Sequence, residues 1–325
     1  KELRKAIVKR EKRKNSAEIN YKDVLVTNGI SEGINMVFGS LLERGDEVLV
    51  PGPTFSPCIA LSHFYGSKPV TYQTIEEENW KPDVEDIREK ISDKTKAIVL
   101  INPNNPTGAL YPEETVQKIV DIAAEHDLPL ISDEVYDEMT YEGNHVGTAS
   151  LSKEVPLITF NGFSKVYLAP GWRVGYMHFQ DPHGKLDKVK EGVEKMGRVR
   201  LCPNTPLQYG ALEGLRNEKS YLSGVMDKLK ERRDFIHKRL NEIKGISSEK
   251  PQGAFYIFPK IESDNWKSDK QFVLDVLKEL HILFVHGSGF DPKYGKDHFR
   301  SVFLADKDTL GKAMNKLENF MRKRA

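Results

Sequence analysis

Residues 157–180 read LITFNGFSKVYLAPGWRVGYMHFQ. At the chain's average of 30% charged residues, a window this long would carry about seven charges. It carries two, Lys165 and Arg173, with His178 a third only when protonated. Its ends read as strands, PLITF (156–160) and RVGYMHF (173–179), and both cations fall at or between them. A buried ammonium is costly unless it is paired, neutralised or used covalently. A lysine can also snorkel outward from a loop, so this stretch alone does not separate a surface lysine from a working one.

Working outward, apolar runs alternate with helical patterns. DVLVT (23–27), DEVLV (46–50), KAIVLI (96–101) and LPLIS (128–132) read as strands. SEGINMVFGSLL (31–42) and PEETVQKIVDIAAEH (112–126) read as helices between them. This alternation predicts an α/β fold, a mainly parallel sheet with helices on both faces. Near residue 220 the texture changes. Residues 221–243 place Leu222, Val225, Met226, Leu229, Ile236, Leu240 and Ile243 at helical spacing. Short strands (AFYIF, ILFV, RSVFL) and an amphipathic helix over 307–322 follow. The expected organisation is a large domain, 1–220, and a smaller α+β domain, 221–325.

Composition narrows the function. The net charge is +1 with mixed signs, so no basic stripe for nucleic acid stands out. No apolar run reaches the roughly 18 residues of a membrane span. Cys58 and Cys202 lie far apart without metal spacing and read as reduced thiols of a cytoplasmic protein; no metal is expected.

Open α/β sheets bind ligands beyond the carboxyl ends of their strands. Five consecutive strand ends carry candidate groups: Gly29 in NGISEG, Phe55 in PGPTF, Asn105 in NPNNPTG, Asp133 and Tyr136 in DEVY, and Lys165 in NGFSK. Each has a bland alternative. The glycine turn could be a helix cap, the prolines a simple turn, Asp133 an N-cap, Phe55 core, and Arg173 half of a surface ion pair. One chemistry uses all of them. A lysine forms a Schiff base with an aldehyde cofactor. A glycine ahead of a helix N-terminus cradles phosphate, and Arg173 can clamp it bidentately. A carboxylate, Asp133, keeps a pyridine nitrogen protonated. Tyr136 and Asn105 can hydrogen-bond the ring oxygen, and Phe55 can stack on the ring. The cofactor these groups suit is pyridoxal 5'-phosphate.

The segments NPNNPTG, SDEVYDE, NGFSKVYLAPGWRVGY and PQGAFYIFP, in that order, resemble the signatures of class I/II aminotransferases, enzymes of fold type I; HFRSVFL resembles their carboxylate-binding segment. The resemblance runs from Lys1 to Ala325 and implies a seven-stranded type of sheet. It implies that Lys165 carries the cofactor, Asp133 pairs with its nitrogen, and Tyr136 and Asn105 bond its oxygen. Arg173, Ser31 and the Ile30 amide would hold phosphate, with Gly29 and Ser164 beside them, and Phe55 would stack. Arg300, with Asn105, would take the substrate α-carboxylate. The chain departs from the family at Gly162, where a serine is frequent, and at Phe55, where tyrosine or tryptophan is. The resemblance also implies a segment ahead of Lys1 that closes over substrate and reaches the neighbouring subunit.

Within the family, GWRVGYMHF, RLCPNTPLQ and HGSGF are most similar to alanine aminotransferases of archaea and bacteria. The expected activity moves an amino group between an L-amino acid, alanine first, and 2-oxoglutarate or pyruvate. Aspartate remains an alternative, because Arg198 and Arg200 could serve a distal carboxylate, and aromatic amino acids are a further alternative. A pyridoxal-phosphate lyase and an aminotransferase-like regulator domain also stay open. A homodimer is expected, with residues near 198–205 facing the partner; neither nucleic acid nor membrane is an expected partner.

Overall fold

Strands β1 (Val24–Thr27), β2 (Glu47–Gly52), β3 (Lys68–Ile75), β4 (Lys81–Pro82), β5 (Thr95–Ile101), β6 (Leu130–Asp133), β7 (Leu157–Gly162) and β8 (Gly175–Gln180) form one sheet in the order β1-β8-β7-β6-β5-β2-β3-β4. The computed structural model describes every residue except 218 and 325. Pairing is parallel from β7 through β6, β5 and β2 to β3. β8 runs antiparallel to both β7 and β1. β1 therefore points the same way as the parallel set, and β8 alone of the seven long strands is reversed. That reversal brings the start of β8 to the edge where the other strands end: Gly175 pairs with Thr27 on one side and Gly162 on the other.

Helices α1 (Glu2–Asn15), α2 (Ile30–Leu41), α3 (Ser56–Phe64), α4 (Val84–Lys90), α5 (Glu113–Glu125), α6 (Thr148–Leu151), α7 (Asp187–Arg200) and α8 (Thr205–Arg216) cover the sheet. α2, α3 and α7 share a core with Ile131, Ile158, Phe160 and Met177. α4, α5 and α6 cover the other face around Ile98, Leu100, Leu130 and Leu157. α1 and α8 pack by Val24, Val26 and Tyr176. Covered on both faces, β7 and β8 are buried along their whole lengths, which is why they read as continuous apolar runs. α5 buries Val116, Ile119, Val120 and Ala123 at i, i+3, i+4 and i+7, with Glu113 and Glu114 in its first turn, where the helix dipole favours them.

The long α9 (Ser220–Glu242) leads into the smaller C-terminal domain. Strands β9 (Ile246–Ser247) and β11 (Lys260–Ile261) make a two-stranded sheet. β10 (Tyr256–Ile257), β13 (Phe299–Val302) and β12 (Val285–His286) make a three-stranded one in that order. Helices α10 (Asp269–Leu280) and α11 (Lys307–Arg324) cover them. The core of this domain, including Leu229, Ile236, Phe272, Phe299 and Leu317, is continuous with Val135, Tyr136 and Met139 of the large domain. The small domain is thus seated on the segment that follows β6. Among the described residues no helix is long and apolar enough to cross a membrane.

The structure corrects several expectations. The seven long strands make the expected sheet, and the two-residue β4 adds an eighth at its edge. β3 was not legible: KPVTYQTI is half-exposed along much of its length, so neither a continuous apolar run nor a strict alternation marks it. β6 ends on Asp133 rather than before it, and Phe299, not Arg300, opens β13. AFYIF shrinks to two paired residues.

Candidate active site

The carboxyl edge of the sheet collects the predicted groups. Asp133 is the last residue of β6, in register with Ile101 of β5 and Phe160 of β7. It is buried, and the one hydrogen bond to its carboxylate among the described residues comes from the Val135 N–H at 3.1 Å. Burial pushes its pKa up to about 7, against partial opposition from that N–H and from the Lys165 charge. Lys165, half-buried, follows the β7 turn. Its Nζ lies 5.5 Å from the Tyr136 ring centroid and 5.1 Å from that of Phe255. Ser164 precedes it, also half-buried.

At the β1 end the backbones crowd together. Gly29, with φ of 76°, caps α2, whose first residues are Ile30 and the exposed Ser31. A Cβ on Gly29 would collide with the Arg173 guanidinium. A Cβ on Gly175 would lie 2.8 Å from the Ile30 nitrogen, and one on Gly162 would lie 3.0 Å from the Gly175 Cα. The helix N-terminus is therefore pressed against the start of β8, and a serine at 162 would require β8 to shift. Arg173 is exposed; its described contacts are two carbonyls, Pro170 at 2.9 Å and Asn28 at 3.4 Å. Glu32 accepts from the Asn28 N–H at 2.7 Å and sits 3.0 Å from Arg200. Arg200 is thereby spent on the loop, and Arg198 remains exposed.

The loop after β5 explains its three asparagines. Asn102 accepts from the Tyr111 N–H, and Asn104 from Thr107. Asn105 instead faces the small domain, where its Oδ1 accepts from Arg300 at 2.8 Å. Gly108 packs against Pro251 and the Tyr256 carbonyl, and its own carbonyl accepts from the Gln252 and Gly253 amides. NPNNPTG and PQGAFYIFP thus dock on each other and set Arg300 opposite Asn105. The Arg300 guanidinium is held between the rings of Tyr256, 4.6 Å away, and Phe290, 4.7 Å away. It has no carboxylate partner among the described residues, and burial pulls its pKa below the usual value. Phe55 caps α3 just beyond β2, half-buried against the core under α2.

Residues 1–317 match the family described as aminotransferase class I and II. The chain belongs to the class I and II aminotransferases. Members of that family work with pyridoxal 5'-phosphate. The aminotransferase is 40% identical over 323 residues to the glutamate-pyruvate aminotransferase AlaA of Haemophilus influenzae, covering 98% of this chain and 80% of that one. It is 39% identical over 304 residues to an alanine aminotransferase of Mycobacterium bovis, covering 92% and 71%. Among solved structures it superposes on an alanine aminotransferase from Pyrococcus furiosus with a TM-score of 0.97 and 59% identity, over 99% of this chain and 82% of that one.

Sequence reasoning missed three members of the site: Tyr256, Phe290 and Glu32. Tyr256 lies inside a segment quoted for its resemblance, and only its long-range contacts with Tyr136 and Arg300 reveal a task. Glu32 had a signal, since an acid four residues after Asn28 at a helix start can reach back to it.

Proposed function

We propose that this aminotransferase moves the amino group of L-alanine to 2-oxoglutarate, and in reverse that of glutamate to pyruvate, with pyridoxal 5'-phosphate held at the carboxyl edge of the sheet. The observation that carries the reading is the pair of guanidinium groups, Arg173 and Arg300, that have no carboxylate partner among the described residues. A cation left unpaired in a cleft is a place for an anion. The cofactor fits on two counts. The glycine contacts leave a helix N-terminus and Arg173 together as an anion cradle. Buried Asp133 has no ion-pair partner among the described residues, and a protonated ring nitrogen would provide one.

When bound, pyridoxal phosphate supplies a carbonyl that condenses with amines and a ring that takes up the electron pair released at the substrate Cα. Gly29, the Ile30 amide, Ser31, Ser164 and Arg173 would hold its phosphate, and Phe55 its ring face. Asp133 would hold the proton on the ring nitrogen, and Tyr136 and Asn105 would bond the ring oxygen. Lys165 would anchor the cofactor and then, as a free amine, carry the Cα proton. Arg300, steadied by Asn105, would fix the α-carboxylate common to amino acid and 2-oxo acid, so one contact serves both half-reactions.

The alanine assignment draws on the named relatives. With Arg200 engaged by Glu32, exposed Arg198 is the candidate for the distal carboxylate of glutamate in a partner's site. The reading includes a homodimer: Trp172, beside Arg173, packs against Gly210 of α8, and Leu201 and Tyr209 nearby are 84% and 68% exposed. It also keeps the division into domains at residue 220.

The test is a coupled assay over alanine, aspartate and phenylalanine with 2-oxoglutarate, run on protein whose visible band is followed before and after borohydride. Alanine should be the fastest donor and the band should be lost on reduction. A colourless protein that fails to turn over any donor after addition of cofactor overturns the reading.

A further inference from the structure

The hydroxyls of Tyr136 and Tyr256 lie 2.7 Å apart, and each is the other's only described hydrogen-bond partner. Both residues are buried. Two hydroxyls sharing one contact can satisfy it in one direction at a time: one donates, and the other accepts and keeps its own proton free. The surroundings choose the direction. Beside Tyr256 lie the Phe255 ring, with centroids 4.7 Å apart, and the Arg300 guanidinium, 4.6 Å from the Tyr256 centroid. Neither a guanidinium nor a ring edge accepts a proton. Phe255 and Arg300 border Tyr136 as well, and from the large domain Asp133 and Lys165 face it, of which Asp133 offers a proton acceptor. The stable arrangement has Tyr256 donating and Tyr136 accepting.

We propose that Tyr256 is a positioning residue that joins the two halves of the site: its hydroxyl donates to Tyr136 and so turns the Tyr136 proton into the cleft before Asp133 and Lys165, while its ring holds Arg300 flat for a carboxylate. This rests on the function proposed above, since the acceptor awaiting the Tyr136 proton is the cofactor's ring oxygen. A hydroxyl that accepts one hydrogen bond donates a stronger one. Tyr136 backed by Tyr256 therefore holds that oxygen ionised more firmly than Tyr136 alone.

The ring and the hydroxyl have separable effects, so Tyr256→Phe and Tyr256→Leu test the proposal. Three quantities are measured beside wild type: the pH midpoint of the borohydride-sensitive band, kcat and KM for alanine, and binding of pyruvate to cofactor-free protein by calorimetry. In Tyr256→Phe the midpoint should rise by about 0.5–1 pH unit, the scale of one lost hydrogen bond. Its kcat should fall while pyruvate affinity stays within about twofold of wild type, because the ring remains. In Tyr256→Leu the same rise should be joined by a loss of pyruvate affinity of about 5–30-fold, the scale of a desolvated cation–π contact. An unmoved midpoint in Tyr256→Phe overturns the proposal, even if both variants unfold at lower temperature, since that is what a packing role alone would give. Equal loss of pyruvate affinity in the two variants overturns the assignment of the ring. If wild type shows no borohydride-sensitive band, the proposed function has failed rather than this coupling.

Discussion

Asp133 and Asp137 stand four residues apart in SDEVYDE, and the protein treats them in opposite ways. Asp137 belongs to a buried cluster under α1. Its Oδ2 accepts from Arg10 at 2.6 Å and from Asn161 at 3.0 Å. Arg10 also meets Glu11 at 2.6 Å and Glu138 at 2.9 Å, and Lys219 pairs with Glu138 as well. Burial opposes the charge on Glu138, yet Arg10 and Lys219 prevail and hold its pKa at about 2. Asp133 accepts one N–H and has no ion-pair partner among the described residues, and burial prevails over the more distant Lys165 charge, lifting it to about 7. One region spends its charges on each other and fastens α1 to the loop after β6 and to the strand that leads to Lys165. The other leaves Asp133, Arg173 and Arg300 unspent. Paired charges make the scaffold; unpaired ones mark the place for a ligand.

That contrast predicts different losses on either side. The largest effect should come from Lys165→Ala, which removes the proposed anchor and proton carrier. Turnover should be lost by several orders of magnitude while the unfolding midpoint of the cofactor-free protein barely moves. Near-normal turnover would break the comparison. Arg10→Met should do the reverse, costing about 3–5 kcal/mol in denaturant unfolding, because it strands Glu11 and Asp137 without their cation. Arg300→Lys should lose about 2–5 kcal/mol in kcat/KM for alanine and for glutamate alike, since the charge stays but the fork is gone. If alanine turnover were untouched, the α-carboxylate anchor would lie elsewhere.

A smaller effect sharpens the comparison through pH. Asp133 ionises near 3.8 when unfolded and near 7 when folded. Between those values the folded state holds a proton that the unfolded state has lost, so burying Asp133 costs stability as pH rises from about 4 to about 7, and the full cost persists above. Cofactor-free Asp133→Asn escapes it. At pH 8 it should be more stable than cofactor-free wild type by about 2–4 kcal/mol, with the difference vanishing near pH 4, while its catalytic rate with cofactor falls. A variant no more stable at pH 8 would mean that Asp133 finds a partner without the cofactor.

Much of this was legible before the structure. Reading the residues around each strand end picked out Gly29, Phe55, Asn105, Asp133 and Lys165 as neighbours at one edge, because a parallel sheet brings its carboxyl ends together there. Arg173 fell outside that rule, since it precedes a strand; the reversal of β8 returns it to the same edge. What the sequence hid was pairing. SDEVYDE does not say which aspartate meets an arginine, because Arg10 comes from the other end of the domain. α1 looks like a solvated basic helix, yet Leu3, Ile7 and Arg10 recur on one buried stripe, a spacing that marks Arg10 as an inward charge. Helices α3, α7 and α8 went unread because each buries only two or three residues, and apolar side chains such as Phe64 and Tyr209 face outward and blur the pattern.

The glycines at the start of β8 also set how freely this segment can vary. In GWRVG, Gly171 has nothing within 4 Å of where a side chain would begin, whereas Gly175 faces the Gly29 carbonyl carbon and the Ile30 nitrogen at 2.8 Å. Saturation libraries should therefore accept most residues at 171 and almost none at 175, two glycines four positions apart. With backbone resting directly on backbone, no neighbouring side chain can give way to a newcomer. The proposed phosphate cradle would take its shape from the sheet itself, and variation in what it holds would have to come from Arg173 and the α2 cap rather than from the floor beneath them.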